Sequence, residues 1–191
     1  MEVLHSRSVD APFKRNARHA DLDLVPDTKI GELIDGDLYA HARAAPLHAR
    51  AIMRLYRELD RHDDGDDPDG WVFLGDVEIW FGRNVLVPDL AAWRRRRLNE
   101  VPDARTIRLA PDWVCEGLSP STAWLDHGRK REIYAKHGVD HLWFADPARK
   151  ELEVLVLDGK SYRVARTLNG NCRAKVAPFA HVIDLTKLWQ R

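Results

Sequence analysis

Residues 113–120 read Trp-Val-Cys-Glu-Gly-Leu-Ser-Pro, a short apolar strand with one carboxylate, Glu116, in its middle. Alternate residues of a strand share a face, so Glu116 lies on the same side as Val114 and Leu118. Upstream, Val85-Leu86-Val87-Pro88-Asp89-Leu90 has the same character, with Val85, Val87 and Asp89 on one face and the only charge near the end. Removing an ionised carboxylate from water without a partner is costly. Any fold that buries these strands must therefore give each acid a salt bridge, a proton or a metal ion. Two oxygen-bearing groups on adjacent strands suit magnesium, which takes few protein ligands and keeps several waters.

A helix follows, carrying Asp126, Lys130 and Tyr134. Their i, i+4, i+8 spacing puts them on one helical face. One reading is an ordinary intrahelical ion pair with Tyr134 in the core. The other brings the ammonium group to the strand carboxylates.

The rest of the chain alternates between the two periodicities. Residues 32–39 predict two short strands around Asp35-Gly36, a strong hairpin turn. After Pro46, the spacing of Ile52, Leu55, Tyr56 and Leu59 predicts a helix that ends before Asp63. An acidic loop occupies 63–70 and lacks the ligand pattern of a calcium loop. Residues 71–81 and 85–93 predict one hairpin around Gly82-Arg83-Asn84. Arg94, Arg95, Arg96 and Arg97 come next, either as a solvated run or as nucleic-acid phosphate contacts beside the site. The later helix is expected to stop at Gly138. Residues 139–145 predict a strand parallel to the one before that helix, and 152–157 with 162–166 a second hairpin. The tail offers Val182, Leu185, Leu188 and Trp189 for burial. A chain of 191 residues supports one well-filled core, read as an arm over 1–28 and a domain over 29–191.

Lys plus Arg and Asp plus Glu each total 30, so a polyanion would have to be bound by a local basic patch. Cys115 and Cys172 are far apart, and Cys115 sits in an apolar strand as a free thiol would in a reducing cytoplasm. The first residues show no signal-peptide pattern and no segment has the length of a membrane span, so the expected location is cytoplasmic with no membrane partner. No paired His or Cys pattern for zinc is present. His48, near the start of the first helix, reads as a structural hydrogen-bonding residue.

Pro88-Asp89 followed by Glu116-Gly117-Leu118 resembles the PD-(D/E)XK nuclease signature, in which a strand-end Asp and a strand Glu hold Mg²⁺ and a Lys two residues on polarises the attacking water. More closely, Gly31-Glu32-Leu33-Ile34-Asp35-Gly36, Val87-Pro88-Asp89-Leu90, Glu116-Gly117-Leu118-Ser119-Pro120-Ser121-Thr122, and Asp126 through Lys130 to Tyr134 resemble the Uma-type restriction endonuclease family of that superfamily. The resemblance implies an α/β restriction-endonuclease-like fold, a mixed central sheet flanked by helices. It implies Glu32, Asp89 and Glu116 as ligands of Mg²⁺ or Mn²⁺, with the Gly117 carbonyl as a further one. Leu118 stands where the superfamily has its catalytic Lys, and the resemblance implies that Lys130, on the following helix, takes over that role. Gly117 replaces a bulkier apolar residue. The expected function is metal-dependent endonucleolytic hydrolysis of DNA, with Asp89, Glu116 and Lys130 as the catalytic set and a homo-oligomer, a dimer before larger forms, as the assembly. The alternative is a non-catalytic module of the same fold that binds protein or nucleic acid.

Overall fold

The computed structural model describes residues 11–63, 67 and 69–190. Part of the acidic loop and the first ten residues of the expected arm lie outside these. The first hairpin forms as expected from β1 (Lys29–Ile34) and β2 (Asp37–Ala42), paired antiparallel. Asp35 (φ 50) and Gly36 (φ 88) form its turn in the left-handed region, which glycine and aspartate tolerate best. Helix α1 (Pro46–Leu59) opens on proline, whose missing N–H costs nothing in the first turn. It buries Ala51, Ile52, Leu55 and Leu59.

The hairpin expected over 71–93 divides between two sheets. The strands are β3 (Trp71–Leu74), β4 (Glu78–Phe81), β5 (Asn84–Leu86) and β6 (Leu90–Arg94). The inner pair, β4 with β5, joins a five-stranded sheet of order β2-β1-β5-β4-β7, where β7 is Thr106–Ile107. The outer pair, β3 with β6, joins a six-stranded sheet. The physical reason lies at the crossings: Pro88 has no N–H to give a ladder, so the strand read from Val85 to Leu90 is interrupted at Val87-Pro88-Asp89. Asp89 is thereby placed at the seam between the sheets instead of along a strand face.

The six-stranded sheet has the order β11-β10-β9-β8-β6-β3. β8 (Trp113–Gly117) and β9 (His141–Asp146) are parallel, as the intervening helix requires. That helix comprises α2 (Ala123–Leu125), a π-helical turn (Asp126–Lys130) and α3 (Arg131–Lys136), and it ends at Gly138 with φ 72. β10 (Glu151–Asp158) and β11 (Ser161–Asn169) form the second expected hairpin. A small hairpin of β12 (Arg173–Val176) and β13 (Phe179–Asp184) leads into α4 (Leu185–Leu188). The tail docks through Leu185, Leu188 and Trp189, whereas Val182 stays exposed, contrary to expectation.

Alternation along the strands of the six-stranded sheet fills two cores. Trp113, Cys115, Trp143 and Ala145 face α1, α4 and the small hairpin. Val114, Leu142 and Phe144 face the five-stranded sheet, through Ile34 and Leu86, and the helix, through Leu125, Ile133 and Tyr134. Ala17 and Leu22 of the N-terminal segment cover the far side of the five-stranded sheet over Leu33, Leu38 and Val85. The fold is thus α/β with mixed sheets flanked by helices, two sheets standing where one was expected. Among the described residues, no helix is long and apolar enough to cross a membrane.

Candidate active site

Strand alternation decides which acids meet. Glu32 shares a face of β1 with Ile34, so it points into the core between the two sheets, and Glu116 points into the same core from β8 beside Val114. The π-helical turn delivers Asp126 and Lys130 to the same place. All four are buried, with Glu32 1% and Lys130 3% exposed.

Lys130 stands at the centre. Its Nζ lies 2.8 Å from Glu116 Oε1, 3.0 Å from Glu32 Oε1 and 3.1 Å from Asp126 Oδ1, one carboxylate for each ammonium proton. The Tyr134 hydroxyl donates to Glu116 Oε1 at 2.5 Å. Val87 N–H donates to Glu32 Oε1 at 2.8 Å, and His41 Nε2 lies 3.0 Å from Glu32 Oε2. Both readings of the Asp126, Lys130, Tyr134 face therefore hold together: the intrahelical pair is present, and the ammonium also reaches both strand acids.

These surroundings split the acids. Burial opposes charge on Glu32, but the Lys130 ammonium, His41 and the Val87 N–H outweigh it and hold the carboxyl at about 2. Burial pushes the Glu116 carboxyl well above the usual carboxylate range, and the charges of Asp126, Glu32 and Asp89 add to this against the pull of Lys130. Asp126 is raised by burial against the same pull. Burial would discharge Lys130, yet Glu116, Glu32 and Asp126 together raise it well above its ordinary value, so it is an ammonium ion.

Asp89 stands at the seam between the sheets, and its carboxylate is bonded on both oxygens. Oδ1 lies 2.8 Å from His48 Nε2, and Oδ2 accepts the Gly117 N–H at 2.7 Å. Glu32, Asp89, Glu116, Gly117, Asp126 and Lys130 all line one cavity of about 390 Å³. Leu118 also lines it and packs against the core between the sheets.

The four-arginine run is not brought there. Arg94 lies over the Trp71 ring at 3.9 Å, Arg95 pairs with Asp63 at 3.3 Å, and Arg97 pairs with Asp112 at 2.7 Å. Only Arg96 of the four lacks such a tie among the described residues, and none of the four lines the cavity. Arg94, the last residue of β6, stands roughly 16 Å from Asp89 at the usual rise per strand residue, and the other three follow it in a turn.

Three titratable lining residues escaped the sequence reading: His41, Arg43, and Asp76, whose carboxyl is raised by burial and by the charge of Asp89. His41 was within reach of that reading, because the two-residue turn fixes Tyr39 opposite Glu32 and so puts His41 diagonally beside it on the same face. Arg43 is exposed, lines the cavity, and among the described residues donates only to the Asp27 carbonyl at 3.3 Å. No local signal marked it.

The acids Asp89, Glu116 and Glu32 are hard oxygen donors of the kind that suits Mg²⁺ or Mn²⁺. Among the described residues, however, no three His, Cys, Asp or Glu groups stand at metal-ligand spacing. The reason is visible in the contacts: the Lys130 ammonium takes the inner oxygens of Glu32, Glu116 and Asp126, while both Asp89 oxygens have N–H partners. Among the described residues no hydrogen-bond donor is found at Glu116 Oε2.

The crystal structure of a putative nuclease belonging to DUF820 from Anabaena variabilis is similar in fold, with a TM-score of 0.71, 18% identity, and coverage of 86% of this chain and 92% of that one. No curated protein matches. A family model described as "Putative restriction endonuclease", Uma2, matches residues 20–186. That span takes in Glu32, Asp89, Glu116 and Lys130 along with nearly every element of the fold, and the chain belongs to the Uma2 family.

Proposed function

We propose that the chain is a divalent-metal-dependent nuclease that hydrolyses phosphodiester bonds in DNA. The observation that carries this reading is the buried ammonium of Lys130 within 3.1 Å of three carboxylates in the cavity that Asp89 also lines. A structural ion pair needs one acid, and burying three acids, Glu32, Glu116 and Asp126, beside a cavity is expensive unless they have work to do.

Asp89 and Glu116 would hold Mg²⁺ or Mn²⁺, with Glu32 as a direct or water-mediated ligand and the Gly117 carbonyl as a further donor. Such an ion supplies Lewis acidity toward the scissile phosphate and makes an attacking water more acidic. Lys130 supplies positive charge where the phosphate gains negative charge, a role the superfamily pattern gives to the position of Leu118. Tyr134 and Asp126 orient that ammonium and its nearest acid. Arg43, at the cavity edge, is placed to meet a flanking phosphate.

The test is single-turnover cleavage of plasmid DNA in Mn²⁺ by wild type, Lys130→Ala and Asp89→Ala, with folding of each verified by circular dichroism. Cleavage by wild type and its loss in both variants is the expected result. Activity undiminished in Lys130→Ala sinks the lysine's role, and activity equal in Asp89→Ala identifies a contaminant. The second reading, a binding module without hydrolysis, is favoured by the absence of three groups at ligand spacing among the described residues. It predicts DNA retention with no cleavage by any of the three proteins.

A further inference from the structure

His48 and Gly117 meet in a way that neither the ion cluster nor the ladder of β8 requires. In the pairing of β6 with β8, Leu90 stands opposite Cys115. Continued by two residues, that register would put Pro88 opposite Gly117, where the chain has already left the sheet. The Gly117 N–H is therefore without a strand partner on that side, and the Asp89 side chain accepts it at 2.7 Å. The other oxygen of the same carboxylate lies 2.8 Å from His48 Nε2. His48 comes from the first turn of α1, 41 residues away in sequence.

The ring that reaches Asp89 also lies against Gly117. A Cβ at position 117 would fall 2.4 Å from His48 Nε2 and 2.5 Å from its Cε1, with Ile52 Cδ1 at 3.1 Å. No side chain fits there while the ring remains. The space that a bulkier residue would fill on this strand is taken by the imidazole.

We infer that His48 is a positioning residue that clamps Asp89 against β8, and that residue 117 is glycine to admit the imidazole. Its significance for divalent-cation binding rests on the nuclease reading; the clamp itself does not. With one donor on each oxygen, the Asp89 carboxylate has a single orientation, and its remaining lone pairs are free to meet a cation. Fixing a ligand carboxylate in this way is the function that hydrogen-bonding partners perform around metal sites generally.

The clamp is read by amide hydrogen exchange at Gly117, with Val114 and Phe144 in the paired strands as internal references. His48→Ala is expected to speed exchange at Gly117 by about tenfold or more, the effect of losing order in one hydrogen bond to a charged acceptor, while the reference amides keep their rates. His48→Gln, whose side-chain N–H₂ reaches about as far as Nε2, is expected to restore most of the protection. Gly117→Ala evicts the ring and reproduces the His48→Ala behaviour in the cation measurement that follows, whereas adding Gly117→Ala to His48→Ala does little more. For Mn²⁺ alone, measured by calorimetry, His48→Ala and Gly117→Ala are expected to weaken binding roughly 10–100-fold, with His48→Gln near wild type. Unchanged Gly117 exchange in His48→Ala, or a glutamine variant as fast as alanine, overturns the clamp. Wild type that binds no Mn²⁺ instead overturns the metal reading, and the exchange rates then decide the clamp by themselves.

Discussion

A single ammonium group holds the acid cluster together, and its removal has a cost whose size depends on pH. Lys130→Met keeps the volume of the side chain and removes the charge, leaving Glu32, Glu116 and Asp126 without the partner that each now contacts. At neutral pH this is expected to cost about 3–5 kcal/mol. Burial already raises the Glu116 and Asp126 carboxyls above their unfolded values against the pull of the ammonium, and its loss raises them further. A group raised in this way adds stability that is complete below its unfolded value, about 4, and that is lost as pH rises through the folded one. Urea unfolding should therefore show a gap between wild type and Lys130→Met that narrows from about pH 8 to about pH 5; a constant gap contradicts the cluster. The same variant should bind Mn²⁺ no more weakly than wild type, because the ammonium no longer takes the ligand oxygens. At this scale the acids were legible, since a lone carboxylate in an apolar strand stands out in any reading of Glu116 or Asp89. His48 was legible as a hydrogen-bonding residue but its partner was not, because Asp89 lies on another element and nothing local to α1 points to it. Gly117 read only as the replacement of a bulkier apolar residue, and the space of that side chain is where the imidazole lies.

Among the elements, the turn from Asp126 to Lys130 widens the helix by one residue, and such π-helical turns are found often at functional sites. Here it brings Lys130 to the acids while Tyr134, a turn later, still reaches Glu116. Gly128 lies within the turn, and a Cβ there would meet nothing within 4 Å. Gly128→Ala should raise stability by roughly 0.5–1 kcal/mol by restricting the unfolded chain, and should leave cleavage unaltered. A thermal melt checks the first, and a loss of stability would show that the turn needs glycine's freedom. The ends of the helices were readable, since Pro46 and Gly138 mark them by their own backbone limits. The widened turn was not, because no composition rule separates it from an ordinary helix. The division of residues 71–93 between two sheets was half-written in Pro88; the matching departure at Gly75, where an added Cβ would lie 3.2 Å from the Asp89 carbonyl oxygen, depends on a contact across the seam.

For the whole molecule, the balance of 30 basic against 30 acidic residues means that affinity for a polyanion must come from particular side chains. Under the nuclease reading, Arg43→Ala should lower the slope of log binding constant against log salt by about one unit. Replacing Arg94, Arg95 and Arg97 together should alter the slope little and cost stability through lost contacts with Trp71, Asp63 and Asp112. Fluorescence anisotropy with labelled duplex DNA in catalytically inert Ca²⁺ reads both, and the opposite ranking would return phosphate binding to the arginine run. The seam between the sheets has one more consequence, and it concerns time and cooperativity. Glu32, Asp89, Glu116 and Lys130 come from segments spread over about half the chain, and the contact of Lys130 with Glu32 closes a long loop, whose entropy must be spent before the contact forms. Early in folding, a chain with either sheet formed alone would hold acids without their ammonium. The cluster forms only when the two sheets and the helix dock, so loss of the site and loss of the global fold are one event, with no temperature at which the scaffold persists and the site has melted.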